Sequence, residues 1–228
     1  MLNHSKHSLE QQLDQFVREA HKICSGRTAD QTQFNKLEIE RNIRVIHDWL
    51  RDVELKRENF QVLQIEEGIS INLSGLKLLL RIDRIDEIPD KGLLLIDYKT
   101  GKEAKPAEWF AEKIRAPQLP LYSIANPPAG LAYGHVTIGK PQFKGTTIPD
   151  LTLGEFRNHD FTKASGFSTW EELLEYWKNN LNTVAGEFLK GDHSVSPINK
   201  GEPCRHCEFG SLCRVQESSK MENLEETF

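Results

Sequence analysis

LKLLLRIDRIDEIPDKGLLLIDYKTG, residues 76–101, decides the fold. Its first half (76–88) is a long apolar-rich strand, PDKG (89–92) supplies a turn with Pro and Gly, and GLLLIDYKT reads as the return strand of a hairpin centred near residue 90. An apolar strand such as LLLI (93–96) has no packing reason to end in Asp97-Tyr98-Lys99. Burying charge is expensive unless the charge is paired or binds a metal. Residues i and i+2 of a strand point the same way, about 6–7 Å apart, so Asp97 and Lys99 are expected to face one cleft. The turn sets the rest. An even loop would place Asp83 opposite Tyr98 and send the two acids to opposite faces, whereas an odd loop or a bulge would align Asp83 with Asp97. Alignment is the expectation, because two acids stranded on separate apolar faces have no good explanation. Two acids and a lysine at strand ends suit divalent-metal phosphodiester chemistry: the acids hold Mg²⁺, an oxygen-seeking ion, and the lysine stabilises developing charge or orients water.

A plainer reading competes. An alternating Arg/Asp strand can face solvent with its charges paired among themselves, and RIDRID (81–86) alone does not separate the two. Glu66, in QIEEG on the preceding strand, is a third candidate acid with Glu67 as its rival; an exposed glutamate at a hairpin end is the plain alternative. Gln118 and Tyr122 are four apart and share a helix face. They reach either the metal site or a nucleic-acid backbone, or else they are a polar residue and an amphipathic aromatic at a core rim.

The surrounding chain predicts helices over 8–24 (Leu9, Leu13, Phe16 and Ala20 in phase) and over 34–57, where Ile39, Ile43, Ile46, Leu50 and Val53 form one stripe beside Trp49. From Phe60 the period changes to two, giving one strand or two short ones before residue 76. AEWFAEKIRAPQLPLYSIA predicts a helix, a break at Pro117 and a second helix from about 118. A strand follows over 130–139, then a loop over 140–167 with at most a short strand. A strong helix begins at STWEELLEYW, with Ser168 or Thr169 as N-cap, and Gly191 closes it.

The 228 residues suit one sizeable domain, or one domain with an appendage, at 38% hydrophobic and 28% charged. A net charge of −5 disfavours non-specific coating of nucleic acid but leaves room for a local basic groove. No apolar run of about 18 residues suggests a membrane span. The N-terminus MLNHSKHSLEQQL has no apolar core and reads as no signal peptide, so a cytoplasmic setting is expected. Three of the four cysteines, Cys204, Cys207 and Cys213, lie within ten residues. In a reducing compartment that clustering points to metal rather than to disulfides.

Taken together, an acid at 66, RID ending at 83, DYK at 97–99 and Q-x3-Y at 118–122 resemble the nuclease domain of the RecB/AddB type in the PD-(D/E)xK superfamily. ELKREN, RIDRID, IDYKTG and PQLPLY carry the resemblance, which runs from about Glu38 to Cys213. It implies an α/β fold: a mixed central sheet flanked by helices, a restriction-endonuclease-like core with a C-terminal cysteine staple. It implies Asp83 and Asp97 as ligands of Mg²⁺ or Mn²⁺, Lys99 as the catalytic lysine, Glu66 as the acid of the preceding strand, and Gln118 with Tyr122 as the family's Q-x3-Y helix. The implied activity is DNA hydrolysis, exonucleolytic, in recombination and repair beside a helicase or helicase-like subunit. A non-catalytic DNA-binding or scaffold module with a structural metal site is the alternative.

Cys204-x2-Cys207-x5-Cys213 resembles three-quarters of the family's 4Fe–4S staple, thiolates being the usual ligands. Zn²⁺ with His206 or another histidine, or three reduced thiols without metal, are the alternatives. The expected layout is an N-terminal helical part (1–58), the nuclease core (59–190), the cysteine segment (191–214) and a disordered tail (215–228). Two departures stand out. The family carries a histidine on its first nuclease helix and a first cluster cysteine further upstream, whereas His4 and His7 sit too near the helix at 34–57 and Cys24 is expected mid-helix. The chain is therefore expected to be the C-terminal piece of a longer protein, cut inside the domain, with weakened metal binding and three cluster ligands; Cys24 as the fourth ligand is the alternative.

Overall fold

The computed structural model describes residues 6–24, 33–57, 59–101, 105–151, 153, 156–192, 194–197, 204–205 and 207–213. Helices α1 (Lys6–Cys24) and α2 (Gln33–Asp52) pack together and lead through a 3₁₀ turn, Glu54–Lys56, into the sheet. Six strands follow: β1 (Gln61–Leu73), β2 (Leu76–Ile88), β3 (Gly92–Lys99), β4 (Gly130–His135), β5 (Gln142–Thr147) and β6 (Phe156–Asn158). They lie side by side in chain order. β1, β2 and β3 are antiparallel in sequence, β3 and β4 run parallel, β4 and β5 antiparallel, and β5 and β6 parallel. The parallel step needs a crossover, which contains α3 (Gln118–Ala125). The sheet is mixed and flanked by helices, the restriction-endonuclease-like arrangement.

Burial explains why β3 is central. Leu94, Leu95 and Ile96 are all fully buried, as a run apolar on both faces demands. Leu95, with Ile85, Leu131 and Tyr133, packs under α3 and α5 (Trp170–Leu189), where Leu119, Tyr122, Leu173 and Trp177 close the core. Leu94 and Ile96 face the other way, toward Trp49 of α2, Val53 and Phe143. α5 opens with a reciprocal capping box between Thr169 and Glu172, and Gly191 beyond its end adopts φ +76°.

Several expectations need correction. The stripe of α2 is turned: Val45 and Trp49 are buried, with Val53 just beyond, while Ile39, Ile43 and Ile46 are only half-covered. On α1, Leu13 and Val17 are buried and Phe16 is exposed. Cys24 closes α1 instead of lying within it. Residues 107–116 make no helix beyond a 3₁₀ turn, Pro106–Trp109. Trp109 is drawn wholly into the core, its indole donating to Tyr133 Oη at 2.9 Å, and this packing overrides the local helical preference. The stretch 140–167 carries β5, β6 and α4 (Phe161–Ser165). Residues 61–73 form one strand with a register shift between Val62 and Gln64. The polar link after α1, His4 and the tail from 214 lie outside the described residues.

Candidate active site

Geometry begins at the β2–β3 turn. Ile88 pairs with Gly92, so three residues form the loop, with Asp90 at φ +61° and Gly92 at φ +113°. That odd count carries the register through Arg84 opposite Ile96, and one step further Asp83 falls opposite Asp97. Across the parallel step Asp97 pairs with Tyr133, and Lys99 with His135. Directly paired residues share a face. Asp83, Asp97, Lys99 and Tyr133 therefore occupy the α3/α5 side of the sheet, beyond the apolar layer of Leu95 and Leu131.

Asp97 is 2% exposed, and its Oδ2 meets Lys99 Nζ at 2.5 Å. Burial pushes its carboxyl above the ordinary range; the hydrogen bond and charge of Lys99 oppose this, and the nearby Asp83 charge adds to it. Lys99 is about one-third exposed and lies over the Tyr133 ring, 5.8 Å from its centroid. Asp83 is half-buried, and its Oδ2 accepts the Tyr98 backbone N–H at 2.7 Å.

Glu66 stands apart. It is exposed, adopts φ +54°, and pairs with Arg81 Nε at 2.8 Å. Glu67 offers its carbonyl, which accepts from Tyr122 Oη at 3.3 Å, and Gln118 Nε2 donates to the Arg81 carbonyl at 3.4 Å. The Q-x3-Y face of α3 thus grips the backbone of β1 and β2 where β1 is irregular. Burial, then the Asp83 charge, raises the Tyr122 hydroxyl to about 12, with Arg81 opposing and Glu66 adding. It is a donor at neutral pH and no base.

Among the described residues no three His, Cys, Asp or Glu side chains gather as a ready metal set. Two carboxylates suffice for a hydrated Mg²⁺, which takes one or two from a protein and fills its octahedron with water and phosphate. The donor set fits such an ion: two acids lie on adjacent strands, one paired with Lys99 and the other held by the Tyr98 amide, and the buried one resists ionising alone. Cys204 is half-buried while Cys207 and Cys213 are exposed, and all are free thiols. Cys207 N–H donates to the Cys204 carbonyl at 3.3 Å, but the three thiols do not converge.

The opposite face holds a network that spacing did not suggest. Arg57 Nη2 meets Asp86 Oδ2 at 2.7 Å, and Arg84 binds the same carboxylate through Nε at 2.6 Å and Nη2 at 2.9 Å. Glu54 bridges both arginines, at 3.1 Å to Arg57 and 3.0 Å to Arg84. Arg84 Nη1 also donates to Tyr98 Oη at 2.9 Å. RIDRID thus divides: Arg84 and Asp86 neutralise each other beneath the sheet, while Asp83 turns to the upper face. The alternating strand pattern foretold the division of faces; Glu54 and Arg57 lie in ELKREN, which carries part of the resemblance, but their spacing gave no sign that they pair with Asp86 and Arg84.

The family model described as the PD-(D/E)XK nuclease superfamily matches residues 2–214. No curated protein matches the chain. A solved structure, "Crystal structure of SSO0001", is similar over 79% of this chain and 76% of that one, at 17% identity and a TM-score of 0.36. No described helix is long and apolar enough to cross a membrane.

Proposed function

The chain belongs to the PD-(D/E)XK nuclease superfamily, and on that footing we propose that it hydrolyses DNA phosphodiesters with Mg²⁺ or Mn²⁺ held by Asp83 and Asp97. The supporting observation is a buried Asp97 carboxyl paired with Lys99, close enough to Asp83 to feel its charge and shifted toward its neutral form. When bound, the cation supplies Lewis-acid polarisation of a phosphoryl oxygen and a water acidified enough to attack at neutral pH. Lys99 stabilises the charge that builds on the non-bridging oxygens. Asp83, fixed by the Tyr98 amide, keeps its second oxygen for the ion. Gln118 and Tyr122 hold β1 and β2 in place from α3, and Glu66 is the reserve acid, released when Arg81 turns to a phosphate.

The exonucleolytic mode, the cytoplasmic setting and a repair role beside a helicase subunit belong to the same proposal and rest on the RecB/AddB resemblance. So does a 4Fe–4S cluster on Cys204, Cys207 and Cys213, with Zn²⁺ as the alternative. Three soft sulfur donors in ten residues support it, although a cluster would have to draw them together. Visible absorbance of anaerobically purified protein tests that part.

The central test is cleavage of linear DNA with Mn²⁺ by the wild type and by Asp97→Ala. Strong loss in the variant is expected. Equal inertness of both would overturn the nuclease reading and leave a binding module with the same fold.

A further inference from the structure

The row that aligns the two acids continues across the sheet. Asp97 pairs with Tyr133, Tyr133 with Lys144, and Lys144 with Arg157, each as direct cross-strand partners. Direct partners share a face, so one line of side chains runs from two carboxylates at β2 and β3, past a tyrosine, to two cations at β5 and β6. The next row repeats the trend, with Lys99 opposite His135 and His135 opposite Gln142.

These cations line a cleft of about 480 Å³, together with Lys140, His135 and Gln142. Its rim reaches Gly101, two residues beyond Lys99. Among the described residues no carboxylate lines it. Lys144 is largely covered and forms part of the floor, whereas Lys140 and Arg157 are exposed and have no ion-pair partner among the described residues. In a chain of net charge −5, such a group is a local reversal of sign. β5 is also a poor strand by composition: QFKGTT places a lysine on the covered face where an apolar residue would pack better.

We infer that this cleft binds a backbone or terminal phosphate of the nucleic-acid strand whose scissile phosphate lies at Asp83 and Asp97. The inference rests on the nuclease reading and adds the path of the substrate. Neighbouring strands lie about 4.8 Å apart, which sets Lys144 about 10 Å and Arg157 about 14 Å from Asp97 along the row. The substrate strand therefore crosses β3 to β6 roughly perpendicular to them. The acids meet the phosphate that carries the metal, and the cations meet one a few positions away.

Binding without cleavage tests this. Anisotropy of a short 3′-labelled single-stranded oligonucleotide is measured in EDTA over a range of salt, for the wild type and Lys140→Gln/Arg157→Gln. Both changes are on the exposed rim. Lys77→Gln/Lys178→Gln removes the same charge elsewhere and serves as the control. The rim variant is expected to bind about tenfold or more weakly, with a salt slope shallower by about 0.7, the contribution of one single-strand phosphate contact. The control is expected to match the wild type. A 5′-phosphorylated and a 5′-hydroxyl oligonucleotide separate the two sources of phosphate. A wild-type preference for the phosphorylated end that disappears in the rim variant assigns the cleft to a terminal phosphate; equal weakening of both assigns it to an internal one. A rim variant with the affinity and slope of the wild type overturns the inference, and so does a control weakened equally. Neither result bears on the Mn²⁺ cleavage assay, where the nuclease reading stands or falls separately. Where the wild type cuts, the rim variant is expected to raise KM about tenfold with kcat nearly unchanged, the signature of lost substrate binding.

Discussion

The backbone N–H of Tyr98 donates to Oδ2 of Asp83 at 2.7 Å. Tyr98 lies between Asp97 and Lys99, so the strand that aims one acid and the lysine at the cleft also pins the other acid, from the adjacent strand. The two carboxylates are set by a single hairpin register. Asp83→Asn keeps an acceptor oxygen for the Tyr98 amide and removes the charge. Its Mn²⁺-dependent cleavage is expected to fall at least about a hundredfold with little change in denaturation midpoint. Asp83→Ala loses the acceptor too and should cost a further about 1–3 kcal/mol in stability. Cleavage rates and urea titrations of both variants decide this, and an Asn variant as active as the wild type removes Asp83 from the metal site.

The network beneath the hairpin is the second place where the fold can be broken by one atom group. The side chains of Arg57 and Asp86 are 1% and 0% exposed, with Glu54 binding Arg57 and Arg84 binding Asp86. Removing one member of a buried ion pair leaves an uncompensated charge, which costs about 3–5 kcal/mol. Asp86→Ala is expected to lose that much in urea denaturation, and Arg57→Met/Asp86→Leu to recover part of it. A single variant within about 1 kcal/mol of the wild type would mean that water reaches the pair.

Residues 76–101 were readable because their two signals agree: an apolar run long enough to be central, and acids that a central strand does not otherwise tolerate. The register was readable in principle from the turn, once Pro89, Asp90 and Lys91 are seen as its loop. The α2 stripe runs differently from its spacing because Ile39, Ile43 and Ile46 stay only half-covered, while Trp49 and Val53 enter the core. β5 was illegible for a different reason. Its inward residues are a lysine and threonines serving the cleft and core, and Gly145 meets the β4 backbone, so no alternation of apolar residues survives. Glu66 illustrates the limit of spacing: its position was found, but φ +54° and the ion pair with Arg81 turn it from the acid pair.

Gly145 makes the packing of β5 testable. A Cβ there would overlap the Leu131 carbonyl oxygen and come within 2.8 Å of Ala132 Cα. Both are backbone atoms of β4 and cannot swing away as a side chain could. Gly145→Ala must therefore force β5 from β4, carrying Lys144 with it. We expect a loss of several kcal/mol, about the scale of severe overpacking, seen as a large drop in thermal midpoint. Gly139→Ala, with open space around it but φ +85°, should lose only about 1 kcal/mol. Equal effects at the two sites would contradict the close approach of β4 and β5.

Asp97 links stability, pH and metal. Burial raises its folded pKa above the unfolded value despite Lys99, so between those two values the folded chain holds more protons than the unfolded one. Stability must then fall as pH rises through that window and level off above it, once the folded carboxyl has ionised. In EDTA, the thermal midpoint of the wild type is expected to show this loss relative to Asp97→Asn, whose side chain cannot titrate; the difference isolates Asp97 from the other carboxylates. Mn²⁺ favours the ionised form, so its stabilisation of the wild type should be larger at neutral than at acidic pH. At a hundredfold excess over Kd the gain is about 2.7 kcal/mol, and Asp97→Asn should show little of it. Parallel pH profiles for the two proteins, with equal responses to Mn²⁺, would show that the buried carboxyl neither carries the proton nor grips the cation.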